Sequence, residues 1–98
     1  MSDLAIAFLQ LGGLLLNLIN LYIWVIIIAA LLSFVNPDPY NPVVQFLYRI
    51  TNPAYFFVRK RIRTDFNGLD LAPLIIIIGL QVLTILLNYI FNVIAGFL

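Results

Sequence analysis

Two long apolar stretches without a charged residue constrain this chain more than any other feature. Residues 4–37 and 71–98 contain no Asp, Glu, Lys or Arg. The hydrocarbon core of a bilayer is about 30 Å thick, which a helix of about 20 apolar residues crosses, and both stretches are longer than that. We therefore expect an all-α membrane protein whose two transmembrane helices form an antiparallel hairpin. No basic segment precedes the first stretch, so we expect it to be retained rather than cleaved as a signal peptide.

The composition agrees with a bilayer environment. Of 98 residues, 64% are hydrophobic and 9% are charged, whereas about a quarter of residues are charged in a soluble domain. Two helices bury only a narrow face against each other, so the rest of their surface must meet lipid or another subunit. This predicts a homo-oligomer or a subunit of a larger membrane complex.

All five basic residues lie between the two apolar stretches, and this position predicts the topology. Because Lys and Arg beside short spans stay on the cytoplasmic side, the connecting segment should be cytoplasmic and both termini outside. Four of these cations form a cluster, Arg59, Lys60, Arg61 and Arg63. Anionic lipid headgroups attract such cations by about 1 kcal/mol each, which favours lipid binding. Docking of an acidic cytoplasmic partner is the alternative, and no nucleic acid is expected.

A single domain is expected over residues 1–98. It consists of a first transmembrane helix over 3–35, a basic cytoplasmic segment over 36–70 and a second transmembrane helix over 71–97. The first helix exceeds the hydrocarbon thickness, so it should either bend at Gly12-Gly13 or remain unbroken and tilt.

The connecting segment carries helix signals of its own. Asn41-Pro42 and Asn52-Pro53 each place a capping side chain before a proline suited to the first helical position. Apolar residues recur at helical spacing after each pair. We expect one or two short amphipathic helices that lie flat at the cytoplasmic interface, since neither stretch is long enough to span a membrane.

The start of the second transmembrane helix is also marked. Asn67-Gly68 predicts a turn, Asp70 is suited to cap the helix, and Pro73 is tolerated in its first turn. The Asp70 carboxylate also lies within reach of the cation cluster. We expect its capping role to outweigh any ion pair.

Polar side chains follow one stripe along each transmembrane helix. At 100° per residue the members of each stripe fall on one side of their helix, and the two stripes reach similar depths. The stripes consist of Asn17 and Asn20 in the first helix and Gln81, Thr84, Asn88 and Asn92 in the second. Because the stripes could face each other, we interpret them as amide hydrogen bonding within or between subunits. A polar permeation path around an oligomer is the alternative, although neither span contains an ionisable acid or base of the kind that couples ions.

The residue types present argue against an enzyme. The chain lacks Cys, His and Glu, which removes disulfides, thiolate and imidazole metal ligands and the commonest general bases. We expect no catalytic residue, no metal site and no cofactor.

The ordered motifs of the connecting segment resemble those of the YggT family, also called YlmG, of small bacterial and plastid membrane proteins. The resemblance covers about residues 41–81 and the hairpin on both sides, which is one family unit. Its motifs are Asn41-Pro42, Thr51-Asn52-Pro53, Arg59-Lys60, the run from Gly68 to Pro73, and Leu80-Gln81. The chain departs from the pattern at Asn52, where members often have Asp, and at Ala72, where they often have Ser. It also lacks the prolines that often follow the basic cluster.

The resemblance implies a role but no reaction. Members are linked to cell division and envelope organisation, to osmotic or potassium tolerance, and in plastids to nucleoid distribution and cytochrome assembly. A haem-ligating role does not transfer, because the chain has no His or Cys and its only Met is Met1. We therefore expect a non-enzymatic scaffolding or assembly protein of the bacterial inner membrane. The alternative is a subunit of a small oligomeric channel or transporter in osmotic or ion homeostasis.

Overall fold

Three helices make up nearly all of the computed structural model, which describes residues 2–35, 37–66 and 69–98. They are α1 (Asp3–Val35), α2 (Pro42–Arg61) and α3 (Ala72–Ala95). Two strands of two residues each, β1 (Asp65–Phe66) and β2 (Leu69–Asp70), pair antiparallel between α2 and α3. Both α1 and α3 are long and apolar enough to cross a membrane.

Helices α1 and α3 pack side by side in opposite directions. At one end the Ser2 hydroxyl donates a hydrogen bond to the Leu98 carbonyl over 2.8 Å. About two turns further in, the rings of Phe8 and Phe91 meet edge to face with 5.8 Å between their centroids. Helix α1 continues through Gly12 without a break, and a Cβ added there would lie 2.6 Å from a ring carbon of Phe91. The glycine therefore serves a close helix approach, and the expected alternative of a bend is not what the structure has.

The third helix completes a small core at one end of this pair. The buried cluster consists of Ile26 from α1, Tyr55 from α2, and Ala72 and Ile76 from α3. Each helix contributes to it, so α2 packs against both long helices.

The connecting segment contains a single helix, so of the two helix starts that the sequence suggested only Asn41-Pro42 is used. Asn52 lies within α2 rather than at a helix start, and Pro53 is inside the helix. Proline lacks the N–H that would bond the carbonyl four residues earlier, which usually breaks a helix. A contact from α1 lies beside this point: the Tyr22 hydroxyl donates to the Ile50 carbonyl over 2.7 Å, next to the Arg49 carbonyl that stands four residues before Pro53. The Thr51 side chain beside it is fully buried.

The position of α2 also differs from the expectation of helices lying flat at the end of the hairpin. Tyr22 lies about 13 residues before the end of α1, which corresponds to roughly 20 Å along the helix axis. Because α2 contacts that residue, it lies alongside the last part of α1. Its inner face carries Val44, Thr51 and Tyr55, whereas Phe46 and Phe57 are exposed.

Candidate functional site

The end of α2 meets the start of α3 through an ion pair. The Arg59 guanidinium donates to Oδ2 of Asp70. The other carboxylate oxygen, Oδ1, accepts a hydrogen bond from the backbone N–H of Ala72 over 3.0 Å. The N-cap position itself belongs to Leu71, whose side chain makes no capping bond. Asp70 therefore caps α3 from one residue earlier than expected, and it forms the ion pair at the same time.

The electrostatics of this junction favour the charged carboxylate. Burial raises the pKa of Asp70, but hydrogen bonds from the Ala72 N–H, Arg59 and Thr64, together with the Arg59 charge, outweigh it and lower the pKa below its ordinary value. Thr64 is itself buried, and its carbonyl accepts from the Leu71 N–H over 2.9 Å. The connection between α2 and α3 is thus held by several mutually supporting bonds.

The remaining members of the basic cluster are free for an external partner. Lys60, Arg61 and Arg63 are exposed, and among the described residues only Arg59 pairs with a carboxylate. The guanidinium of Arg61 lies 4.0 Å from the centre of the Phe57 ring, a cation–π arrangement that orients it without neutralising it. Three cations therefore face outward from the end of α2.

An apolar groove lies beside this cluster, between the three helices. Its volume is about 310 Å³, and its walls are almost entirely hydrocarbon. The lining includes Tyr22, Ala54, Phe57, Val58, Ile76 and Gly79. Since Arg61 stacks on the Phe57 ring, a cation stands next to the groove. An apolar groove with a cation beside it is complementary to an anionic phospholipid, which has apolar acyl chains and a negatively charged headgroup.

The other sequence motifs act as local structural devices. Oδ1 of Asn41 accepts from the Val43 N–H over 2.9 Å and caps α2, with Pro42 as the first helical residue. Pro73 lies in the first turn of α3. Gly68 and the turn expected at Asn67-Gly68 lie outside the described residues.

The polar stripes do not meet each other within one chain, so of the two expected alternatives the structure does not show hydrogen bonding within a subunit. Asn17, Asn20, Gln81, Asn88 and Asn92 are all exposed. In the part of the chain that the structure describes, none of them bonds to the opposite helix. The bonds that do form stay within α3: the Asn92 amide donates to the Asn88 carbonyl over 2.7 Å and Thr84 to the Leu80 carbonyl over 2.8 Å. The space between α1 and α3 is filled instead by small and branched apolar residues such as Ala5 and Ile23.

Two tyrosines important for the architecture gave no signal in the sequence. Tyr22 supports α2 at its proline, and Tyr55 is buried in the shared core with its hydroxyl lacking a hydrogen-bond partner. Neither stands in a motif, because each acts through residues distant in the chain.

Comparison with known proteins identifies one family. The family model for CCB3/YggT matches residues 8–91 of the chain. A protein of Pseudomonas aeruginosa, named "Uncharacterized protein PA0392", is 39% identical over 62 residues, which are 63% of this chain and 31% of that protein. The chain thus matches less than a third of that relative's length. No solved structure matches it.

Proposed function

We propose, since the chain belongs to the CCB3/YggT family, that it is a non-enzymatic scaffolding protein of the bacterial inner membrane, linked to envelope organisation or cell division. In this proposal α1 and α3 cross the membrane, and α2 packs alongside α1. The basic end of α2 lies at the cytoplasmic interface, where it holds anionic lipid and docks a partner. The observation that carries the proposal is the exposed cation cluster at the end of α2, a helix that also exposes the aromatic rings of Phe46 and Phe57.

The charges suit an interfacial position. Three outward cations beside an anionic leaflet are attracted by about 1 kcal/mol each, which together favours the bound state by roughly a hundredfold. The exposed Phe46 and Phe57 rings would enter the acyl region on the same helix. The groove beside Arg61 offers a place for one acyl chain, so lipid would be held by both of its parts.

Cysteine labelling tests the proposed topology. The natural chain has no cysteine, so Ser2→Cys, Phe97→Cys and Arg61→Cys each introduce one unique thiol. In intact spheroplasts an impermeant thiol reagent should modify the first two and spare the third, because the cations retain α2 in the cytoplasm. Permeabilised spheroplasts serve as the control, in which all three thiols should react. Labelling of Arg61→Cys alone in intact spheroplasts would reverse the proposed orientation.

Charge removal tests the proposed function. A triple variant, Lys60→Gln, Arg61→Gln and Arg63→Gln, keeps the Arg59 ion pair and removes the outward cations. With the protein reconstituted in bilayers of zwitterionic lipid, we expect the variant to lose roughly a hundredfold in affinity for a labelled anionic phospholipid. It should also fail to restore cell shape and division in a strain from which the gene has been deleted.

Arg49→Gln is the matched control, since this exposed arginine lies on the same helix away from the cluster. It should change the affinity for the anionic phospholipid by less than tenfold, and it should restore cell shape and division in the deletion strain. If the triple variant bound lipid and complemented as well as the natural protein, the scaffold proposal would lose its support.

The exposed amides favour a second candidate, a subunit of a small oligomeric channel. Polar side chains at several depths of two apolar helices could line a wetted path in a ring of subunits. Potassium flux from vesicles containing the natural protein, abolished by Asn17→Leu and Asn88→Leu, would support the channel. Absence of flux together with the lipid-binding loss above would support the scaffold.

A further inference from the structure

The exposed amides of the two long helices lie on one face of the helix pair. Counted at 100° per residue, those of α1 lie roughly 120° from the side that packs on α3, and those of α3 roughly 90° from the side that packs on α1. In an antiparallel pair these rotations bring both sets to the same side. Tyr22 and Ile76, which contact α2, lie on the opposite side. We call this the amide face: Gln10, Asn17, Asn20, Gln81, Asn88 and Asn92.

The same amides also lie at matched depths. Gly12 contacts Phe91, and Ala30 and Pro73 line one cavity, so residues whose numbers add to about 103 lie level with each other. The amide face therefore has three levels, each with one residue from α1 and one from α3. They are Gln10 with Asn92, Asn17 with Asn88, and Asn20 with Gln81.

Lipid acyl chains cannot form hydrogen bonds with the side chains of the amide face. An amide side chain has two hydrogen-bond donors and an acceptor. Acyl chains have neither, so exposing an amide to them is unfavourable in free energy. The face carries no charge, so it offers nothing to an ionic partner. It is, however, complementary to itself, because every amide both donates and accepts.

We propose that the amide face is the interface of a parallel two-fold dimer of this chain. The inference rests on the proposed membrane-spanning orientation of α1 and α3. A two-fold axis along the membrane normal preserves depth, so each amide level of one copy meets the same level of the other. The backbone can approach closely at Gly13, which lies on this face and has nothing within 4 Å of a built Cβ.

Cysteine crosslinking of the full chain in lipid nanodiscs tests the contact. Gly13→Cys places a thiol on the amide face, and Gly79→Cys places one on the side of α2; both glycines have open space around the added side chain. Mild oxidation should give a covalent dimer for Gly13→Cys and at most a tenth as much for Gly79→Cys. A dimer through Gly79→Cys alone would overturn the assigned face.

Amide replacement tests the chemistry. The double variant Asn17→Leu and Asn88→Leu should raise the dissociation constant of the dimer at least tenfold by energy transfer between labelled copies, whereas Asn17→Gln with Asn88→Gln should restore most of the affinity. Unchanged thermal unfolding of the Leu variant would show that the helix pair itself still folds. A natural protein that stays monomeric, or that forms a larger ring with ion flux, overturns the two-fold dimer.

The two proposals fail separately. If the dimer contact is not found but the natural protein still complements the deletion strain, only the dimer proposal is wrong. Labelling of all three thiols in intact spheroplasts would remove the membrane-spanning arrangement on which both proposals depend, whereas reversed labelling would remove only the cytoplasmic position of the cation cluster.

Discussion

Gly12→Val is expected to destabilise the helix pair by about 1–3 kcal/mol, the usual range for overpacking a tight contact. A Cβ at this position would lie 2.6 Å from Cδ2 of Phe91, which no van der Waals contact tolerates. The Phe91 ring cannot simply turn away, because it packs edge to face against Phe8. The two helices must separate, and the contacts on either side weaken with them. The midpoint of unfolding in detergent titrated with sodium dodecyl sulfate measures the effect.

Gly79→Val is the matched control for this substitution. It makes the same change within α3, where nothing lies within 4 Å of the added Cβ, so the effects of the β-branched side chain on the helix are shared. We expect it to change the free energy of unfolding by less than 1 kcal/mol. Gly12→Ala alone should also lower the free energy of unfolding. Adding Phe91→Leu replaces the ring with a smaller side chain, so the double variant should recover part of that loss. Equal destabilisation by both valine variants would mean that an effect common to the two sites dominates and that the close approach contributes little.

The two long helices could be predicted from the sequence because their signal is local. A run of apolar residues without charge specifies a membrane-compatible helix by its length alone, and α1 and α3 follow those runs. The role of Gly12 could not be predicted in this way. A glycine pair in a helix is compatible with a bend or with a close approach, and only the position of Phe91, far along the chain, decides between them.

The single helix α2 shows how a distant residue overrides a local signal. Asn52-Pro53 is typical of a helix start, and within the segment nothing argues otherwise. The structure continues the helix through Pro53, and Tyr22, 28 residues before Ile50, adds a hydrogen bond from α1 beside the proline. A pattern read over one segment contains no information about such a donor.

The polar stripes illustrate a different limit. Periodicity places the amides on one side of each helix, but it does not fix how each helix is rotated about its axis. That rotation is set by the residues that pack best between the helices, here Gly12 with Phe91 and the small Ala5. The amides consequently turn outward instead of toward each other. The exposure of the cation cluster depends less on how the helices pack, so it could be predicted from the sequence.

Asp70 supplies the last prediction, because the sequence suggested a cap that outweighs any ion pair and the structure forms both contacts. Asp70→Ala removes the acceptor for the Ala72 N–H, at about 0.5–2 kcal/mol for a cap. It also removes the half-exposed pair with Arg59, at about 0–1 kcal/mol. Asp70→Asn keeps an acceptor oxygen and loses only the charge. We therefore expect Ala to lower the free energy of unfolding in detergent more than Asn does.

The pH dependence separates the two roles of Asp70. Since the folded protein lowers the pKa of Asp70 below its ordinary value of 3.8, the charged carboxylate stabilises the fold above that value. This stabilisation is lost as the pH falls through the lowered pKa. The advantage of the natural protein over Asp70→Asn should therefore be constant near neutral pH and shrink in that acidic range. Asp65→Asn, on the paired strand opposite Asp70, is the control and should shift the curve little. If Asn is as damaging as Ala at neutral pH and Arg59→Gln adds nothing to it, the ion pair, and not the bond to Ala72, is what holds α2 to the start of α3.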